Sequence, residues 1–90
     1  MTLCRRYRVS GRVQGVFYRT STRDQATRMG LTGWVRNTSN GDVELVACGE
    51  TNQLCQLEEW LEEGPPYADV RNVQSETIAQ AAFSDFSIRN

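Results

Sequence analysis

The chain contains no histidine and no lysine. The first absence excludes Ser–His–Asp and Cys–His nucleophiles and any imidazole-ligated metal, and the second excludes a lysine Schiff base. Cysteine is scarce: Cys4, Cys48 and Cys55 lack the close pairing of a zinc site. No apolar run approaches the roughly 20 residues of a membrane-spanning helix. Met1-Thr2-Leu3-Cys4-Arg5-Arg6 does not read as a signal peptide. The expectation is a cytoplasmic protein with no membrane partner, no metal and no cofactor.

What remains is arginine chemistry, because all ten basic residues are arginine. Their placement is uneven. Residues 1–40 hold eight arginines against Asp24, a net of +7; residues 41–90 hold Arg71 and Arg89 against ten carboxylates, a net of −8. A basic N-terminal half suits a small anion. The near-neutral total of −1 argues against a long polyanion, so no nucleic-acid partner is expected. Much of this charge is also free to pair across the fold.

Ninety residues suit one domain, here residues 1–90. Strand signals cover Leu3 to Ser10, Leu31 to Asn37, Asp42 to Cys48 and Val70 to Ile78. A last strand is expected to carry Phe83, Phe86 and Ile88. One helix is expected from Tyr18 to Met29, stopped by Gly30. A second follows a cap at Thr51 or Asn52 and places Leu54, Leu57, Trp60 and Leu61 on one face. Glu58, Glu59, Glu62 and Glu63 are expected to face water. The order βαββαβ predicts an α+β, ferredoxin-like sandwich: an antiparallel sheet with two helices on one face. Right-handed crossovers set strands one and two parallel, with strand three between them.

Gly11-Arg12-Val13-Gln14-Gly15-Val16-Phe17-Tyr18-Arg19 joins the first strand to the first helix. A glycine loop that runs into a helix start can gather backbone N–H groups around an anion, and the helix end adds about half a positive charge. Arg19 adds a planar fork of donors suited to phosphate oxygens. The same residues also describe a tight strand-to-helix turn with a surface arginine.

A second stretch, Gly33-Trp34-Val35-Arg36-Asn37 followed by Gly41, Val43 and Gly49, separates those readings. The two stretches in this order resemble the acylphosphatase family, whose loop is G-x-V-Q-G-V-x-F-R and whose strand end is G-W-V-x-N-x3-G-x-V-x5-G. The second pattern matches at every fixed position; the first departs only where Tyr18 replaces phenylalanine, a swap expected to matter little.

The resemblance implies hydrolysis of a carboxyl-phosphate bond to carboxylate and inorganic phosphate. It assigns backbone N–H groups of Gln14, Gly15, Val16, Phe17 and Tyr18, with the Arg19 side chain, to the phosphoryl group. It assigns Asn37 to the attacking water. Arg19 and Asn37 are then the catalytic residues. The partner is a small acyl phosphate, with inorganic phosphate or sulfate as a competing anion, and a monomer is expected. Thr38 is a candidate hydrogen-bond support for Asn37, whereas Arg12 and Arg36 read as exposed strand-end residues. Two other classes compete: an anion-binding regulatory domain without turnover, and an RNA-binding sheet. The latter needs aromatics on central strands, where Tyr7 is alone.

The strand order also sets Cys4 beside Cys48. They form either a disulfide, stabilising by roughly 4 kcal/mol through loop-closure entropy, or two buried free thiols. Cys55 is expected on helix two, free.

Overall fold

The computed structural model describes residues 2–89. Its elements are β1 (Thr2–Arg12), α1 (Tyr18–Arg28), β2 (Thr32–Asn37), β3 (Val43–Glu50), α2 (Thr51–Glu63), β4 (Asp69–Ile78) and β5 (Phe86–Arg89). The sheet order is β4-β1-β3-β2-β5. β1 pairs antiparallel with β3 and β4, and β2 pairs antiparallel with β3. The first six elements give the ferredoxin-like sandwich. β5 then adds to β2 in parallel, which makes the sheet mixed.

Strand alternation sorts the two faces. Tyr7 and Val9 of β1, Val35 of β2 and Val43, Leu45 and Ala47 of β3 are buried together with Ala26 of α1 and Leu54, Leu57 and Leu61 of α2. Both helices therefore share one face. α1 buries Tyr18, Thr22 and Ala26, four residues apart along one side. Met29 is only half-buried and acts as its C-cap, and Gly30 follows.

α2 starts one residue earlier than its threonine and asparagine suggested. Its N-cap is Glu50, whose side chain accepts the N3 amide, while Gln53 Oε1 accepts the Glu50 N–H at 2.9 Å. This reciprocal pair satisfies two helix-end donors at once, which neither Thr51 nor Asn52 does here. Glu58 is also not a water-facing residue. Its Oε2 accepts from Arg5 Nη1 at 2.6 Å and from the Tyr7 hydroxyl at 2.7 Å, which fastens α2 to β1. Glu59, Glu62 and Glu63 are exposed.

The opposite face carries a small apolar cluster of Cys4, Val46 and Cys48, against which Trp34, Ile78 and Phe83 pack. Phe83 precedes β5 rather than lying in it. β4 and β5 occupy opposite edges, so residues 79–85 cross this face, and the Ala81 N–H lies 3.5 Å from Cys4 Sγ. Phe83 lies in that crossing and packs against the cluster beneath it. Cys4 and Cys48 are register partners with Cα atoms 4.1 Å apart and form a disulfide; Cys55 is free and exposed.

The two charge halves interlock. Arg5 pairs with Glu58, Arg6 with Glu44 and Glu76, Arg8 with Asp42, and Arg36 with Glu44. Each pair joins an arginine from residues 1–40 to a carboxylate from residues 41–90.

Candidate functional site

Between β1 and α1 the chain reverses through two left-handed residues, Gly15 at φ 74° and Phe17 at φ 65°. Glycine enters that region without steric cost. Phe17 is the one non-glycine residue with positive φ among the described residues, and a bulky side chain there is uncommon. Val13, Val16 and Tyr18 alternate into the core and hold the loop from beneath. The Tyr18 ring packs against Trp60, with ring centroids 5.6 Å apart.

The Tyr18 hydroxyl donates to the Leu61 carbonyl at 2.7 Å. That carbonyl belongs to the last turn of α2, where no intrahelical donor reaches it. The tyrosine thus gains a bond that phenylalanine cannot make, so the swap is not neutral. Burial raises the Tyr18 phenol above its ordinary pKa and keeps it protonated.

The backbone donors of this loop are uncommitted. Among the described residues, no acceptor receives the amides of residues 14–20; the first helical bond runs from the Ser21 N–H to the Phe17 carbonyl at 3.0 Å. Phe17 is the N-cap, with no side-chain cap bond, and the first turn of α1 carries no acid. That turn instead carries Arg19. An arginine at the positive end of a helix is the wrong charge for stability. Arg19 is half-buried and has no carboxylate partner among the described residues.

A cavity of about 240 Å³ opens here, lined by Val13, Gly15, Phe17, Tyr18, Arg19, Thr20 and Asn37. Of the residues singled out in the sequence, Gly15, Phe17, Tyr18, Arg19 and Asn37 meet in it. Val16 turns its side chain into the core, and Gln14 turns its own toward the β2–β3 turn. Arg12 and Arg36 do not line it, and Arg36 is bound through two nitrogens to Glu44 at 2.6 and 2.9 Å. The lining holds no carboxylate or thiol.

Asn37 ends β2 opposite Val43. β2 can approach β3 closely because residue 33 is glycine; a Cβ there would sit 1.9 Å from the Val46 carbonyl oxygen. Asn37 Oδ1 is buried and has no hydrogen-bond partner among the described residues. Gln14 ties the loop to this corner, its Nε2 donating to the Thr38 and Asp42 carbonyls at 2.8 Å each. Thr38 closes the turn: its N–H donates to the Asp42 carbonyl at 2.9 Å, and its hydroxyl accepts the Asp42 N–H at 3.1 Å and contacts Asn40 Oδ1. Thr38 therefore supports the turn and makes no bond to the Asn37 side chain. Val13 and Thr20 complete the lining; Val13 is a fixed position of the loop pattern with no site role assigned to it, and nothing in the sequence distinguishes Thr20 from its helix neighbours.

A larger hollow of about 440 Å³ lies on the far face of the sheet, lined by Arg6, Arg8, Glu44, Gln74, Ser75 and Glu76. Its charge is compensated internally, since Arg6 lies 3.5 Å from both Glu44 and Glu76. Among the described residues the smaller cavity has an unpaired cation and a row of unpaired donors, a charge distribution that suits an anion better than the larger hollow does. Tyr7 is fully buried under the helices and offers no ring for base stacking.

The acylphosphatase family model matches residues 5–88. The curated acylphosphatase of Coxiella burnetii (strain RSA 493 / Nine Mile phase I) is 56% identical over 86 residues, covering 96% of this chain and 90% of that protein. A solved acylphosphatase structure from Coxiella burnetii superposes with a TM-score of 0.95 at 55% identity, over 98% of this chain and 93% of the other. The crystal structure of the Bacillus subtilis acylphosphatase gives a TM-score of 0.95 at 33% identity, over the whole of both chains.

Proposed function

The chain belongs to the acylphosphatase family and is an enzyme that hydrolyses acyl phosphates; from that premise we propose that the β1–α1 loop binds the phosphoryl group and Asn37 orients the water, without a metal. The juxtaposition that carries this reading is one cavity shared by uncommitted loop amides, an unpaired Arg19 and Asn37.

The roles follow from the chemistry of the bond. In an acyl phosphate the leaving group is a carboxylate, already stable as an anion. A water oxygen forms a bond to phosphorus while the bond from phosphorus to the acyl oxygen breaks. The demand on the protein is placement and charge stabilisation. Amides of Gln14 through Tyr18 donate to the phosphoryl oxygens, at the helix end where the macrodipole is positive. The Arg19 fork takes two of those oxygens and balances charge in the transition state. Asn37, at the end of the neighbouring strand, holds the water through its side-chain amide. A lining without carboxylate or thiol supports the metal-free route.

The test is hydrolysis of acetyl phosphate with and without a chelator. The expected outcome is an unchanged rate, with inorganic phosphate and sulfate inhibiting competitively. Reversible loss of turnover on chelation overturns the metal-free route.

A further inference from the structure

We propose that the Phe17 side chain is the acyl-group contact of this site and biases the enzyme toward acyl phosphates whose acyl part is flat and apolar. The proposal rests on the reading of the cavity as the acyl-phosphate site.

Three observations converge on residue 17. Phe17 is 75% exposed, one of two large hydrophobic residues in that state among the described residues. Its ring therefore has little protein to pack against, in a loop whose Val13, Val16 and Tyr18 are all buried. Phe17 also adopts φ 65°, a conformation that glycine or asparagine would reach with less strain. Neither packing nor backbone geometry accounts for phenylalanine here. Thirdly, Phe17 lines the same cavity as Arg19 and Asn37.

The geometry separates the two parts of the residue. The Phe17 amide belongs to the uncommitted donors at the helix start, whereas the exposed ring belongs to a residue that lines the cavity. The phosphoryl group goes to the donors, so the acyl group must leave the cavity toward its rim. An exposed ring on a lining residue offers an apolar face and an aromatic edge. Contact with a second flat ring is favourable in offset or tilted geometry, and apolar area on both partners leaves water. A methyl group has too little surface to use the ring; an aryl group has enough.

The experiment compares benzoyl phosphate with acetyl phosphate as the ratio of their kcat/KM values. The ratio cancels intrinsic differences in leaving-group reactivity when variants are compared with the wild type. It also cancels any common effect of residue 17 on phosphoryl binding. Phe17→Asn suits the left-handed backbone, so the variant should fold. Its ratio is expected to fall by about tenfold, the low end of what an apolar contact discriminates. Phe17→Trp keeps an aromatic face, and its ratio should stay at or above the wild-type value. A ratio unchanged in Phe17→Asn, or lowered equally in both variants, overturns the assignment of Phe17 while leaving the site reading intact. Failure of the wild-type chain to hydrolyse either substrate overturns the site reading, and this proposal with it.

Discussion

Arginine and lysine carry the same charge, so Arg19→Lys isolates the geometry of the donor. A lysine at position 19 keeps a cation at the helix start but presents one rotating ammonium in place of a planar fork. A loss on the order of 10²-fold in kcat/KM is expected, the scale of removing one fixed transition-state donor; near-normal rates would show that charge alone suffices. Asn37 is expected to behave differently. Its proposed ligand is the water, whose position matters in the chemical step, whereas phosphate is bound in substrate, product and inhibitor alike. Asn37→Ala should lower kcat strongly and leave the inhibition constant of inorganic phosphate nearly unchanged. If phosphate affinity falls in step with rate, Asn37 is a phosphate ligand. Because Asn37 Oδ1 is buried and unpartnered among the described residues, the alanine variant should not lose stability through that atom, and a urea midpoint checks this.

At the scale of elements, the site depends on a loop and a turn being held together, and Gln14 makes that link. Its two bonds reach the Thr38 and Asp42 carbonyls on either side of the β2–β3 turn. Gln14→Ala removes both and should destabilise the fold by about 1–3 kcal/mol. It should also lower kcat without touching substrate, and a rate loss with full stability would indicate direct contact. This bridge is not legible in the sequence, where the loop pattern points to the Gln14 backbone amide alone; a side chain spanning to residues 38 and 42 depends on a tertiary approach. The element order was legible, because Tyr7 and Val9 alternate with Arg6 and Arg8, and Leu54, Leu57 and Leu61 recur at helical spacing. The start of α2 differs from the expectation because glutamate is a less common cap than threonine or asparagine; the Gln53 partner decides it. Phe83 reads as a strand residue since an apolar ring serves equally well in a strand and in a crossing segment that packs on the sheet. The left-handed turn at Phe17 could not be anticipated, because glycine or asparagine usually marks such a position.

The whole molecule carries a pH signature in its core. Tyr7 and Tyr18 are almost wholly buried, and burial raises both phenols above the ordinary value of 10.0. In the unfolded chain both ionise near their ordinary pKa, while in the folded chain both stay neutral. The unfolded state therefore binds fewer protons above about pH 10, and stability present below that pH is lost as pH rises. The slope should approach 1.4 kcal/mol per pH unit for each tyrosine. Urea midpoints between pH 8 and 11 measure it, and Tyr18→Phe should remove about half of the alkaline slope. A flat profile would mean that neither phenol is protected. The sheet order has a kinetic consequence as well. β1 sits between β3 and β4, and both neighbours come from the far half of the sequence. The β2–β3 hairpin is the one pairing that can zip locally. Seating β1 requires two long excursions of the chain to close first. Folding should therefore be governed by the search of distant segments for one another, on milliseconds or slower rather than microseconds.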